Sequence, residues 1–260
     1  MNKPSEPRSP VPSLTRALRV LDALTEDPVE RNLSELSREL QIPSASLWRI
    51  LKVLVDQGYV IFDKKRRTYR LGFKLMYMGN LLLNGSRFRS QGREYLRRLA
   101  DRTGETAELD VRIRDQLVLI DQVTSPHAVY LYSHVGSAMP FFHATAPGKI
   151  YLAHTEPDKR RSVMRKLGFP RLTPRTIQDL DALEKELETV RALGYAVDRE
   201  EMREGVGRVA APVLDPSGAV IACLAVACPA FRLNDPEKRV AFGLAVKEVA
   251  QEMTENGAGV

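Results

Sequence analysis

Ser44, Ser46, Trp48, Arg49 and Lys52 lie on the polar side of a short stretch whose other side is Leu47, Ile50, Leu51, Leu54 and Val55. Small hydroxyls at the start of such a segment, with a guanidinium one turn later, can hydrogen-bond base edges and phosphate oxygens in a major groove. Twelve residues beyond Lys52 comes a second chemical group, the run Lys64-Lys65-Arg66-Arg67. Four successive cations repel one another unless they are solvated or face a polyanion. The phosphate backbone or the minor groove of DNA is the economical partner. A solvated face is the plainer reading of either group alone, whereas the two together point to nucleic acid.

The elements that must position these groups can be read from the same region. Leu33, Leu36 and Leu40 recur at helical intervals, which predicts a helix over 32–40. Gln41-Ile42-Pro43 interrupts it, because proline disfavours helical geometry in the residue before it and suits the first turn of the next helix. The second helix opens at Ser44 or Ala45 and stops at Gly58. Tyr59–Phe62 and Thr68–Leu71 read as two strands around the cationic turn. A helix from Ser13, with Leu14, Ala17, Leu18, Leu21 and Leu24 on one face, is expected to pack behind them. The whole reads as a winged helix-turn-helix over 13–74, preceded by a proline-rich tail over 1–12 that is expected to be disordered.

Charge follows the same division. Residues 1–74 hold 14 Lys and Arg against 9 Asp and Glu, leaving 25 against 24 for the rest of the 260-residue chain. The near-neutral remainder fits a module that folds, dimerises or binds a small molecule. Residues 72–83 are apolar over much of a helical circumference, and burial against the same helix of a second subunit, or against the larger domain, would cover them. A linker helix is therefore placed over 75–92.

From residue 93 the pattern mixes helix and strand. Helices are expected at Arg93–Arg102, Pro147–His154, Asp158–Leu167, Asp179–Leu193 and Pro236–Thr254. Strands are expected at Thr106–Ile113, Leu117–Val123, Ala128–Val135, Tyr195–Asp198, Val209–Leu214 and Ala219–Ala227. Hairpin-linked strands with helices between them make residues 93–260 an α+β domain with a helix-covered antiparallel sheet. Cys223 and Cys228 read as small buried residues. The four histidines show no metal-ligand spacing, and no G-x-S-x-G elbow or glycine-rich phosphate loop is present, so no catalytic residue, metal or cofactor is expected. No run of about 18 apolar residues suggests a membrane span, and a cytoplasmic location is expected.

The stretches Ile42–Leu51, His143–Lys149, Leu172–Ile177, Gly194–Glu201 and Val209–Pro212 together resemble the IclR family of bacterial transcription regulators, from about Ser13 to Thr254. The resemblance implies a GAF-like C-terminal effector-binding domain and assembly as dimers or dimers of dimers on double-stranded operator DNA. It also implies an effector pocket at Ala146, Pro147, Asp198, Arg208, Ala225 and Ala227, with Val129, Tyr132 and Val206 as its apolar wall. The backbone N–H of Gly148 at a helix start offers an anion site on physical grounds alone, the alternative being that Ala-Pro-Gly is a tight turn into a packed helix. Relatives that bind small oxoacids often carry Ser or Cys where this chain has Ala225, Ala227 and Arg208. A larger carboxylate, aromatic or not, is therefore expected, held by Arg208 or the helix N-terminus, the alternative being that Arg208 is exposed beside the Gly205-Val206-Gly207 turn. Trp48 and Ala45 also depart from the family, which bears on operator choice. Repression of a catabolic operon is the expected role. An activator, an architectural DNA binder and a regulator fused to an enzyme are the competing ones.

Overall fold

A computed structural model of the chain describes residues 9–26 and 30–257, which divide into two compact units, 1–85 and 86–260. Of the tail expected over 1–12, residues 1–8 lie outside the described residues, and Pro12 already opens the first helix.

The first unit contains α1 (Pro12–Ala23), β1 (Arg31–Asn32), α2 (Leu33–Leu40), α3 (Ser44–Asp56), β2 (Val60–Asp63), β3 (Thr68–Leu71) and α4 (Phe73–Gly85). Its core gathers Val20, Ala23 and Leu24 of α1 and its end with Leu36, Leu40, Leu47, Leu51, Leu54, Val60 and Tyr69. Leu14 and Leu18, expected inside, are exposed, because the inward face of α1 runs instead through Val20 and Ala23. Asn32 does not begin α2 but caps it. Its Oδ1 accepts from the Glu35 N–H at 2.9 Å, while Glu35 Oε2 accepts from the Asn32 N–H at 2.9 Å. This capping box satisfies two donors that a helix start leaves free. Gln41 then turns the chain with φ 55°, and Pro43 leads into α3. The wing has a third strand that sequence pattern did not reveal, since two-residue β1 pairs antiparallel with β3, giving the order β1-β3-β2.

The expected boundary at 92/93 does not occur. The apolar helix stops at Gly85, and a new helix, α5 (Arg87–Thr103), starts where the Ser86 side chain accepts from the Arg89 N–H at 3.1 Å. Glycine followed by a capping serine ends one helix and begins another.

The second unit continues with β4 (Thr106–Ile113), β5 (Gln116–Val123), β6 (Ala138–Met139), a 3-10 turn (Phe142–Ala144), α6 (Ala146–Ala153), α7 (Pro157–Leu167) and α8 (Leu180–Leu193). It is completed by β7 (Ala196–Arg199), β8 (Val206–Leu214), β9 (Val220–Pro229), α9 (Ala230–Leu233) and α10 (Pro236–Glu255). One six-stranded antiparallel sheet, ordered β6-β5-β4-β9-β8-β7, forms the middle layer. Leu109, Val209, Ala211, Leu224 and Val226 face α5 and α10, while Ala196, Ala210, Cys223 and Ala225 face α6 and α8. Residues alternate faces along a strand, so Cys223 and Cys228, five apart, point into opposite layers as free thiols.

The strand expected at Ala128–Val135 is absent. Side chains meet that segment's backbone in place of a ladder. Thr106 Oγ1 donates to Leu131 O at 2.7 Å, Gln122 brackets the Ser133 backbone, and Arg232 donates to Val129 O at 2.9 Å.

The capping box supports the start of α2 and the turn into α3. Asn32→Ala should lower the stability of the N-terminal unit by about 1 kcal/mol. Denaturant unfolding followed by Trp48 fluorescence would read this, and an unchanged midpoint would show the cap to be dispensable.

Candidate functional site

Two surfaces carry the sequence-identified residues, one in each unit. In the first, α3 turns Leu47, Leu51 and Leu54 inward and leaves Ser44, Trp48, Arg49 and Lys52 exposed, with Ser46 half-buried. Lys52 Nζ lies 5.6 Å from the centroid of the exposed Trp48 ring. Ser44 Oγ is 3.0 Å from Ser37 Oγ, which itself donates to Ile42 O at 2.7 Å and ties the turn between α2 and α3.

At the wing tip, Asp63 Oδ1 accepts from the N–H groups of Lys65 and Arg66, at 2.8 and 3.0 Å. These two bonds hold the Asp63 carboxyl below its usual pKa. Arg66 is not a free cation as expected, because its Nη1 pairs with Glu30 Oε2 at 3.0 Å. Among the described residues, Lys64, Lys65 and Arg67 are exposed and carry no ion pair. The tip therefore offers three cations to a polyanion.

In the second unit the site begins with the α6-facing side of the sheet. Register places Glu108 opposite Ala225, Ala225 opposite Ala210, Ala227 opposite Arg208 and Arg208 opposite Asp198. β4 and β8 flank β9, so their backbones are about 10 Å apart. Arg208 Nε nevertheless donates to Glu108 Oε2 at 2.9 Å. The side chains meet above β9 because Ala225 and Ala227 end at Cβ and leave the space open. Arg208 is 7% exposed and Glu108 1%. Burial alone would disfavour the charged guanidinium, but Glu108, Asp198 and Asp110 push its pKa above the ordinary arginine value.

Asp110, also on β4, is fully buried, and neither carboxyl oxygen has a hydrogen-bond partner among the described residues. Burial, then Glu108, push its pKa up to about 8 against the pull of Arg208. Asp198 Oδ1 accepts from the Glu201 N–H at 2.8 Å, and its Oδ2 has no partner among the described residues. Burial raises its pKa to about 7 although Arg208 opposes the rise.

Beside this face lies a cleft of about 370 Å³. It is lined by Tyr132, Ser133 and His134, by Met139, by Met202 and Arg203, and by Val206 and Arg208. Ser133 Oγ donates to Glu108 Oε1 at 3.0 Å, connecting the cleft wall to the buried ion pair. Lys149 anchors the segment after β7, its fully buried Nζ donating to Glu186 Oε1, Val197 O and Glu201 Oε1, each at 2.8 Å. Thr173 and Thr176 hold the carbonyls of Glu200 and Glu201, so the segment leading into Met202 and Arg203 is anchored from α6, α8 and the 173–176 turn.

The expected pocket residues therefore separate. Tyr132, Val206 and Arg208 line the cleft, while Asp198, Ala225 and Ala227 lie on the adjoining buried sheet face. Val129 is exposed elsewhere. Arg208 sits inside β8. The helix start at Ala146, Pro147 and Gly148 is a packed joint and not an open anion cradle. The Gly148 N–H already donates to Thr145 Oγ1 at 3.2 Å, and a Cβ on Gly148 would lie 2.4 Å from Phe142 O. Glu108, Asp110, Ser133, Met202 and Arg203 were not anticipated. The alternation Thr106, Glu108, Asp110 against Ala107, Leu109 was the available signal, but it reads equally as a solvated strand face.

Residues 13–64 match the IclR helix-turn-helix domain, and residues 82–255 match the bacterial transcriptional regulator IclR C-terminal domain. The HTH-type transcriptional repressor AllR of Klebsiella pneumoniae is 31% identical over 242 residues, covering 93% of this chain and 88% of the relative. An IclR transcriptional regulator from Alicyclobacillus acidocaldarius superposes with a TM-score of 0.80 at 28% identity, over 96% of this chain and all of that one. An IclR homolog from Microbacterium hydrocarbonoxydans, solved in complex with 4-hydroxybenzoate, superposes with a TM-score of 0.68 at 25% identity, over 92% and 99% of the two chains.

Asp110 and Asp198 hold protons more tightly folded than unfolded, where the ordinary value is 3.8. The stability this contributes is complete below that value and is lost as pH rises through about 7 and about 8. Asp110→Asn should therefore raise Tm at alkaline pH by roughly 2–4 °C, the effect of about 1 kcal/mol in a unit of this size, and change it little only where the pH falls below the ordinary value of 3.8. An equal shift at both pH values would show that Asp110 is not the titrating group.

Proposed function

The chain belongs to the IclR family of bacterial transcriptional regulators, and we propose that it is an effector-responsive repressor of a catabolic operon, acting on operator DNA in the cytoplasm. The observation that carries the reading is the exposed Ser44–Lys52 face of α3 beside a wing tip with three cations that, among the described residues, form no ion pair. α3 enters the major groove, Arg49 reads a base edge, and Lys64, Lys65 and Arg67 meet phosphates.

The protein works as a dimer, with dimers of dimers as the larger assembly. α4 has no buried residue in the single chain and exposes Phe73, Met76, Tyr77, Leu81 and Leu82, so pairing with the α4 of a second copy removes this surface from water. Two recognition helices then address half-sites about 34 Å apart.

The effector is a small organic acid with an aromatic ring. The cleft supports this reading with an apolar lining of Tyr132, Met139, Met202 and Val206 and a cation at Arg208. The 4-hydroxybenzoate carried by the relative from Microbacterium is of the same class. Binding of the acid changes operator affinity through the relative populations of two dimer arrangements.

The testing experiment titrates purified protein against its own upstream intergenic DNA, with competitor DNA, in the presence and absence of pooled aromatic and aliphatic carboxylates. A specific complex weakened by one pool is expected. A complex indifferent to every pool would remove the effector from the reading, and no specific complex would remove the operator. Arg49→Ala should cost about 1–3 kcal/mol of specific affinity. Replacing Lys64, Lys65 and Arg67 with alanine should flatten the dependence of log K on log salt by about 0.9 for each phosphate left without its cation. An unchanged slope would take the wing off the DNA.

A further inference from the structure

Arg208 uses its Nε on Glu108, and among the described residues its Nη1 and Nη2 make no hydrogen bond although the side chain lines the cleft. A guanidinium with a free edge facing a cleft is matched in shape to a carboxylate. The difficulty is charge. Glu108 already sits on this cation, Asp110 and Asp198 lie nearby, and the pair is almost wholly buried. A second carboxylate on the same guanidinium would leave excess negative charge away from water, which is costly. Exchanging one carboxylate for another leaves the buried charge unchanged.

We propose that Glu108 is an internal stand-in for the effector's carboxylate, so that an anionic ligand binds Arg208 by displacing Glu108, while an uncharged isostere cannot. This rests on the regulatory reading above and adds the residue that selects the ligand's charge. The displacement is non-covalent, and it has a route outward. The other oxygen of Glu108 accepts from Ser133 Oγ at 3.0 Å, and Ser133 belongs to the cleft wall. Gln122 grips the Ser133 backbone at both its N–H and its carbonyl, so movement of Glu108 with Ser133 pulls on β5. The neighbouring Asp121 accepts from Arg89 at 3.2 Å and Arg93 at 2.7 Å, both on α5. Ligand exchange at Arg208 is thereby connected to the first helix of the unit through interactions already in place.

The test uses the full-length protein and benzoate as probe, with benzamide as the uncharged isostere, followed by calorimetry and thermal shift. Glu108→Asp keeps the charge but draws it back from Arg208, and Glu108→Gln removes it. Both should bind benzoate more tightly than the parent, with the Gln variant stronger by roughly tenfold or more, a gain of about 1.4 kcal/mol. Benzamide should not gain. Arg208→Gln, alone or with Glu108→Gln, should lose benzoate binding, the double variant serving as the folded control without the buried Arg208–Glu108 pair. Asp198→Asn separates competition from a general loss of negative potential and should change affinity much less than Glu108→Asp.

Benzoate affinity equal to or weaker than the parent's in both Glu108 variants would overturn the proposal, as would an equal gain in Asp198→Asn or no binding by any variant. The pooled-acid titration on operator DNA tests the regulatory reading separately. A ligand-responsive operator complex with no gain in the Glu108 variants would leave that reading standing and remove only the exchange.

Discussion

A cation buried in the middle of a sheet must be matched by charge brought from another strand, and the pairing of Arg208 with Glu108 is the constraint on which the second unit depends. The two residues lie on β8 and β4, with β9 between them. The bridge requires side chains on β9 that do not rise above Cβ, which explains Ala225 and Ala227 in physical terms. Burial first, and the neighbouring acids second, raise the pKa of Asp110 and Asp198 against the pull of Arg208. A sheet face that is alanine-rich in sequence is therefore polar in the fold.

A second buried cation organises the segment after β7. Lys149 fixes α6 to α8 and to the segment after β7, and its three partners at 2.8 Å satisfy its three donors. Part of the cleft lining thus hangs from Glu108 through Ser133 and part from Lys149 through Glu201. Irregular segments line the opening, but buried charges set their positions. Packing alone would hold such loops less tightly, because leaving a buried charge unpaired is more destabilising than loosening an apolar neighbour.

The N-terminal unit follows a different logic. Its core is small and apolar, α2 is capped by a side chain, and α3 buries three leucines with Ile50 and Val55 packed beside them. Among the described residues its charges stay at the surface apart from Arg31, which is buried and pairs with Glu39, while Glu30 neutralises the exposed Arg66. That arrangement leaves hydroxyl, aromatic and cationic groups available along one helix and one hairpin. The apolar face of α4 stands apart, as a helix that finds no buried position within a single chain.

The winged helix-turn-helix was legible because its signals are local: leucine spacing, Pro43, Gly58 and the cationic turn all act within a few residues. The antiparallel sheet and most of its helices were legible for the same reason, since alternation, capping residues and the turn at Asp215–Gly218 reflect neighbouring backbone geometry. What failed was non-local. Residues 128–135 look like a strand but meet side chains from β4, β5 and α9 instead of a ladder partner. β1 is two residues long and exists only because β3 is beside it. Glu108 and Asp110 alternate like a solvent-facing edge, and only the tertiary structure could place them inside. Residue order determined which groups each element presents. The sheet order β4-β9-β8 decided which groups meet, because a bond between residues 100 positions apart depends on strand neighbours that local propensity does not encode.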